Sequence, residues 1–404
     1  MVRPERRTRT DFAAVALIVV AVLVGSLVLW QRSDVRHTRS ETAPPAKAAP
    51  SATAVPPALT EAWRAASPAT PRPVVAGPAA VTGAGNQVLG RDPATGQVRW
   101  SYTRDLPLCT IGSQWGRALA VFGKQTNCSE VTSLRGATGE RGPQRNSDTD
   151  VGVDLLGDGR YVTATGHDII ETWRSDLVRT QQYGVPVDVK NPDNHLKRPE
   201  CRYSSVAVGE ERVAVIEECP KVPVDRVTVL KAHPRSDEKP EETFSVEVGS
   251  GASSVVATDQ EHTAVLLRDR SELDVYDNAR GTLAGRFPVR TGPPPAPNAA
   301  GGTANEPTIR GPRIYWFTGR DTVALDRATL NPLWTVPDTL GPGTGFGGQL
   351  LVPVPGGVAV HDPNTGARQR VIPVDRHGFD GPVNLNAVGS TVLEQRGPTL
   401  VALR

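Results

Sequence analysis

The chain has no excess of either charge. Across 404 residues, 45 Lys and Arg stand against 43 Asp and Glu, a net +2. That balance removes the electrostatic footprint of a nucleic-acid partner. Beyond residue 60 there are no long Ala/Leu/Glu/Lys stretches, which argues against a helical protein. The four cysteines include no adjacent pair and no C-x-x-C, the spacing that a four-Cys zinc site uses. The seven histidines, His37, His167, His195, His233, His262, His361 and His377, contain no i, i+4 pair. No G-x-S-x-G elbow marks a nucleophile, although a triad is recognised by geometry and can assemble from distant residues.

Three matches to ligand-binding motifs fail in context. "GTGFGG" at 343–348 fits G-x-G-x-x-G, but "QLLVPV" follows it as a strand, not the helix that a dinucleotide site needs. "DTDVGVDLLGDG" at 148–159 has Gly152 where an EF-hand loop requires a third oxygen ligand, and reads as a solvated turn. "NCS" at 127–129 fits a glycosylation acceptor and is read as a chance match. No catalytic, cofactor-binding or metal-ligating residue is assigned.

What the chain does have is turns, with 39 Gly and 36 Pro, and enough length to bury a large all-β core. Its N-terminus is a separate object. Residues 12–30, "FAAVALIVVAVLVGSLVLW", carry no charge and approach the roughly 20 residues that cross a bilayer as a helix. Arg3, Arg6, Arg7 and Arg9 in the leading segment 1–11 fit a cytoplasmic N-terminus, while Arg32, Arg36 and Arg39 reduce the asymmetry. A secretory signal peptide is the competing reading. Against it, the apolar run exceeds the usual length of about 7 to 15 residues, and no small-x-small site follows Trp30. The expected location is the cell membrane, single-pass, with the bulk of the chain extracytoplasmic. Residues 31–58, with "ETAPPAKAAPSATAVPP", read as a Pro/Ala-rich tether that could reach roughly 85 Å in polyproline II.

From residue 59 to 404 one unit recurs. "GRDPATGQVRW" at 90–100 places Asp92, Thr95 and Gly96 before a closing Trp100; "HDPNTGARQRVI" at 361–372 repeats Asp362, Thr365 and Gly366; "LDRATLNPLWTV" at 325–336 keeps Asp326 and Trp334. Weaker copies are "YDNARGTLAGRF" at 276–287 and "LRGATGERGP" at 134–143. Two β-rich runs around a Gly turn precede each copy. Taking first strands near Val75, Ile111, Val153, Ser204, Ser254, Thr308, Phe346 and Leu385 gives eight four-stranded units of about 43 residues each, the size of a propeller blade. Seven blades of about 49 residues are the alternative. The last unit stops after three strands, and "LTEAWRAAS" at 59–67 supplies a fourth, with Trp63 matching Trp100 and Trp334.

The Asp-x-x-Thr-Gly-x-x-x-Trp pattern resembles the repeat of the pyrroloquinoline-quinone-like β-propellers. Quinoprotein dehydrogenases of that family carry adjacent disulfide-forming cysteines, calcium ligands and a catalytic Asp, and this chain, shorter than those enzymes, has no adjacent Cys pair. It looks more like the non-catalytic, envelope-associated members, such as the bacterial outer-membrane assembly lipoprotein. The preference for Arg, Ala, Pro and Val over Lys suggests a high-GC bacterium such as an actinomycete.

Each cysteine pair is nearly symmetric about an expected hairpin turn, so Cys109 is expected to join Cys128, and Cys201 to join Cys219. Both bonds imply an extracytoplasmic compartment. In a blade, the first-to-second and third-to-fourth turns share one face, which carries the Thr-Gly turns. The other face would carry both disulfides, "CPKVPVD" at 219–225, and the insertions at 187–200 and 290–307. Long loops favour recognition. The sequence therefore points to a membrane-anchored, extracytoplasmic propeller that binds or scaffolds a protein or envelope component through that loop-rich face, without catalysis or cofactor. A quinoprotein-like oxidoreductase or a propeller hydrolase is the alternative. If the tether joins the ring only through 59–66, the Thr-Gly face looks towards the membrane.

Overall fold

The computed structural model describes residues 8–124, 126–185, 196–249, 253–293 and 306–404. Arg3, Arg6, Arg7, His195 and most of the two insertions, 187–195 and 294–305, lie outside the described residues.

Thr8 and Asp11 cap an apolar helix, α1 (Arg9–Arg32). The Thr8 side chain accepts from the Asp11 amide, and the Asp11 carboxylate accepts from the Thr8 amide at 2.6 Å. Its 24 residues are exposed on every side, as suits a helix that can cross a membrane. A signal sequence near an N-terminus shares these features.

The rest is an eight-bladed, all-β propeller. Each blade is an antiparallel sheet, and in blades 2 to 7 the strands run outward from the axis in chain order. Blade 1 holds Val74–Ala76, Ala79–Ala84, Gln87–Arg91 and Val98–Thr103; blade 2 holds Leu108–Gln114, Arg117–Lys124, Asn127–Arg135 and Arg141–Asn146. Blades 3 to 7 span 155–184, 202–249, 253–288, 308–336 and 344–373. Blade 8 combines Val383–Val388, Thr391–Arg396 and Thr399–Leu403 with Glu61–Ala66 from the other end of the chain. That clasp pairs Trp63 with Ala402 and Ala66 with Thr399. Innermost strands of blades 8 and 1 also touch, so the ring is closed. The third blade begins at Leu155, two residues beyond the buried Val153.

The core is distributed. Eight apolar clusters each bridge two neighbouring blades, for example Val81, Trp100 and Tyr102 of blade 1 with Ile111, Ala120 and Phe122 of blade 2. Middle strands such as Arg212–Glu218 are buried on both sides, which explains their near-continuous Val/Ile/Ala runs. Outer strands such as Glu61–Ala66 are exposed or half-buried in alternation.

Residues 31–58 do not behave as a free tether. Arg39–Glu41 adds a fifth strand to blade 1, with Arg39 opposite Thr103 and Glu41 opposite Ser101. The chain then crosses the Thr-Gly face as a strap. Ala43 and Ala46 donate to the carbonyls of Thr138 and Ala137 in blade 2, Ala52 donates to Gly389 in blade 8, and Arg370 of blade 7 donates to the carbonyls of Val55 and Pro56. Proline removes donors from this segment but leaves its carbonyls and alanine amides free to bond the ring. Ala52 and Val55 also cover apolar surface between blades 7 and 8. Only residues 33–38 separate the helix from the ring, a span of about 20 Å fully extended. The clasp does start on the Thr-Gly face, where Glu61 lies opposite Leu403. The first contact after the helix is different: Arg39 meets the Thr103 end of its neighbour, which points to the loop face. The end of blade 1 nearest to the helix is therefore on the loop side, the reverse of the expectation from the clasp alone.

Candidate functional site

The repeat motif builds the joints of the ring. Asp92 accepts from the amides of Ala94 and Thr95 at 2.9 and 3.0 Å, and Gly96 closes the turn onto the Asp92 carbonyl at 2.9 Å. Asp326 and Asp362 form equivalent turns with Thr329 and Thr365. Each closing tryptophan lies on the turn glycine of the next blade: Trp63 on Gly96, Trp100 on Gly139 and Trp334 on Gly366. A Cβ on those glycines would stand 2.5 to 2.6 Å from the indole side chain. Only glycine tolerates both that approach and the positive φ of +72° to +77° found at the three turns. In blade 4, Phe244 takes the tryptophan's place over Gly281. These residues hold the fold.

Both disulfides form as paired, on the loop face. Cys201 and Cys219, with Cα atoms 4.2 Å apart, extend the ladder one step beyond the Arg202–Glu218 pair. Cys109 and Cys128, 6.1 Å apart, differ from the expected hairpin pairing. Cys109 sits at a bulge in the first strand of blade 2 and Cys128 on its third strand, so this bond passes over the end of the second.

Beneath Cys201–Cys219 lies a network absent from the sequence reading. The buried Glu217 carboxylate accepts from Arg198 Nε at 2.6 Å, from Thr228 Oγ1 at 2.9 Å and from the Tyr183 hydroxyl. Tyr183 stacks on Tyr203, with centroids 5.1 Å apart. Burial, reinforced by the Glu217 charge, pushes both phenols well above their usual range. Around this sector, Val151, Val185 and Val222 are 57, 46 and 41% exposed. Val151 and Val185 are drawn together through Asp168, whose amide donates to Asp150 and whose carbonyl accepts from Val185. Asp150, Asp154 and Asp158, read as part of a solvated turn, cap or lie under loop backbone instead; Asp158 alone accepts from the amides of Arg160, Tyr161 and Glu211.

Between the innermost strands lies a space of about 220 Å³ lined by Arg72, Gln114, Leu155, Glu306, Thr308 and Asn386. Arg72 pairs with Glu306 and donates to the Leu155 carbonyl at 2.8 Å. Burial pushes the Glu306 carboxyl up, against the pull of Arg72. The described histidines are dispersed. His167 contacts the Tyr203 carbonyl, His233 the Tyr161 hydroxyl and His361 the Gly366 carbonyl, in three different blades. Among the described residues, no group of three or more His, Cys, Asp or Glu is placed to hold a metal ion.

No family model and no curated protein matches the chain. Among solved structures, the computationally designed Ika8 protein aligns at a TM-score of 0.55 and 13% identity, over 88% of this chain and 99% of that one. Sqt1 of Saccharomyces cerevisiae aligns at 0.51 and 12% identity, over 87% of this chain and 98% of that one. At such identities the likeness carries the fold alone.

Proposed function

We propose that this protein is a membrane-anchored, extracytoplasmic binding or scaffolding module, without catalysis, whose loop face over blades 3 and 4 receives a protein or envelope component. The observation that carries this reading is the strap. The chain's own residues 43–56 occupy part of the Thr-Gly face, whereas the loop face presents Val151, Val185 and Val222 beside a disulfide-pinned turn. Clustered exposed apolar side chains with a polar surround mark interaction surfaces on soluble domains. The short link at residues 33–38 adds a restriction: a partner on this face meets it close to the bilayer. The docking of Trp63, Trp100 and Trp334 onto turn glycines supports kinship with the pyrroloquinoline-quinone-like repeat, in a member that keeps the joint and lacks the adjacent cysteine pair of the dehydrogenases.

A photo-crosslinking residue placed at Val151, Val185 or Val222 in the full chain, in native membranes, is expected to give one discrete adduct shared by the three positions. Positions Leu283 and Leu333, on outer strands, are expected to give none. Saturable turnover of an alcohol or sugar on adding pyrroloquinoline quinone and calcium would overturn the non-catalytic reading in favour of the oxidoreductase.

A further inference from the structure

The Thr-Gly face contains a second cleft, of about 460 Å³, between the strap and blades 6 and 7. Its walls include Arg310, Arg313, Tyr315, Gln349, Asn364 and, from the strap, Ser51. No residue lining it is acidic. This is unusual in a chain whose charges nearly cancel and whose buried carboxylates Glu171, Glu217, Asp274 and Glu394 each hold an arginine.

Arg310 is exposed, belongs to no ion pair among the described residues, and lays its stem over Gly345, which directs it along the cleft wall. Arg313 has one distant anion, Asp326 at 3.6 Å, and its Nε is buried without a partner. Asp326 and Asp362, the nearby carboxylates, spend Oδ1 on the amides of their own turns. A third cation, Arg370, reaches only the neutral carbonyls of Val55 and Pro56 in the strap. Phe346 gives the floor its apolar surface, over the fully buried Leu350.

We propose that this cleft is a binding site for a small organic anion, in which a carboxylate or phosphate is held by Arg310 and Arg313 and a small apolar body rests on Phe346. Guanidinium groups match both anions through paired N–H donors. The volume suits a small molecule. Ser51 makes the strap one wall of the site, so the segment that joins ring to helix also shapes the ligand space.

The test is calorimetric titration of the full chain in nanodiscs with phenyl phosphate, benzoate and the neutral benzyl alcohol. Saturable binding of one or both anions, with none for the alcohol, is expected, and the preferred anion identifies the head group. Arg310→Gln should weaken that binding at least about tenfold, the loss of one charged hydrogen-bonded pair. Ser51→Trp, which fills the cleft from the strap and leaves every ring residue unchanged, should also weaken it. Arg280→Gln, on the same face but outside the cleft, should leave it unchanged. Absence of saturable binding for either anion, equal binding of the alcohol, or native affinity in a folded Arg310→Gln chain overturns the proposal.

Discussion

Trp63 covers Gly96 and donates its indole N–H to the Pro93 carbonyl at 2.9 Å, so the segment that follows the strap fastens the last blade to the first. Gly96→Ala would place a methyl 2.6 Å from Trp63 Cγ at a φ of +73°. Backbone strain there costs about 1–2 kcal/mol, and displacement of the indole adds to it. Gly356→Ala shares the positive φ, +74°, with open space around it. Urea unfolding should place Gly96→Ala at least about 1 kcal/mol below Gly356→Ala. Equal midpoints would mean that the joint yields freely.

Peptide mapping without reductant should recover Cys109 linked to Cys128 and Cys201 linked to Cys219. Their sequence separations are 19 and 18 residues, for which chain entropy gives about 3 kcal/mol per bond. Replacing either pair with serine should lower the unfolding free energy by about that amount, and free thiols or a cross-link between the pairs would break the assignment.

Glu394 has no exposed side-chain surface and holds two arginines, Arg376 Nη2 at 2.8 Å and Arg396 Nε at 2.7 Å. Removing its charge leaves both guanidinium groups buried and uncompensated, so Glu394→Gln should cost about 3–5 kcal/mol. The pair Arg226–Glu247 is equally close at 2.7 Å, but Glu247 is 55% exposed. Glu247→Gln should change stability by less than about 1 kcal/mol, and a comparable loss in the two variants would contradict the role given to burial.

His361 is buried, directs Nδ1 at the Gly366 carbonyl at 2.8 Å, and has no partner for Nε2. Burial pulls its pKa below the ordinary 6.5, with Arg368 adding to the effect and the Gly366 carbonyl opposing it. The folded state then binds fewer protons than the unfolded one. Stability is intact above about pH 6.5 and falls as pH drops from there towards the lowered folded value, by at most about 1.4 kcal/mol per pH unit. His361→Gln should remove that slope. Parallel stability curves for the two chains between pH 7 and pH 5 would show that the ring does not resist protonation.

The blades were readable because their signals are local. Glycine turns, alternating β-rich runs and a closing tryptophan recur within each unit, and the clasp followed from counting three strands at one end and one at the other. Cys201–Cys219 was readable for the same reason, being one step beyond a hairpin pair. Cys109–Cys128 found its partner by a different route, because Cys109 sits at a bulge of the first strand and Cys128 on the third, beside the irregular pairing between Phe122 and Lys124 at the end of the second. Leu330 occupies the left-handed position that glycine holds elsewhere, at φ +57°, which is why that copy of the motif was incomplete. The buried carboxylates were hard to see, since at least one arginine of each comes from another strand or a connection, as Arg198 does for Glu217 and Arg376 for Glu394. Composition alone also made 31–58 look detached. Its contacts depend on ring carbonyls that no local pattern announces.

The strap also has a mechanical meaning. A pull on the ring through the apolar helix loads Arg39 first, where three residue pairs hold the edge of blade 1. The clasp behind it holds five. If the weaker seam yields, residues 42–60 pay out roughly 60 Å of slack before any force reaches Trp63. The link would then act as a shock absorber, sparing the closed ring at the expense of its distance from the bilayer, and releasing Ser51 from the cleft wall as it extends.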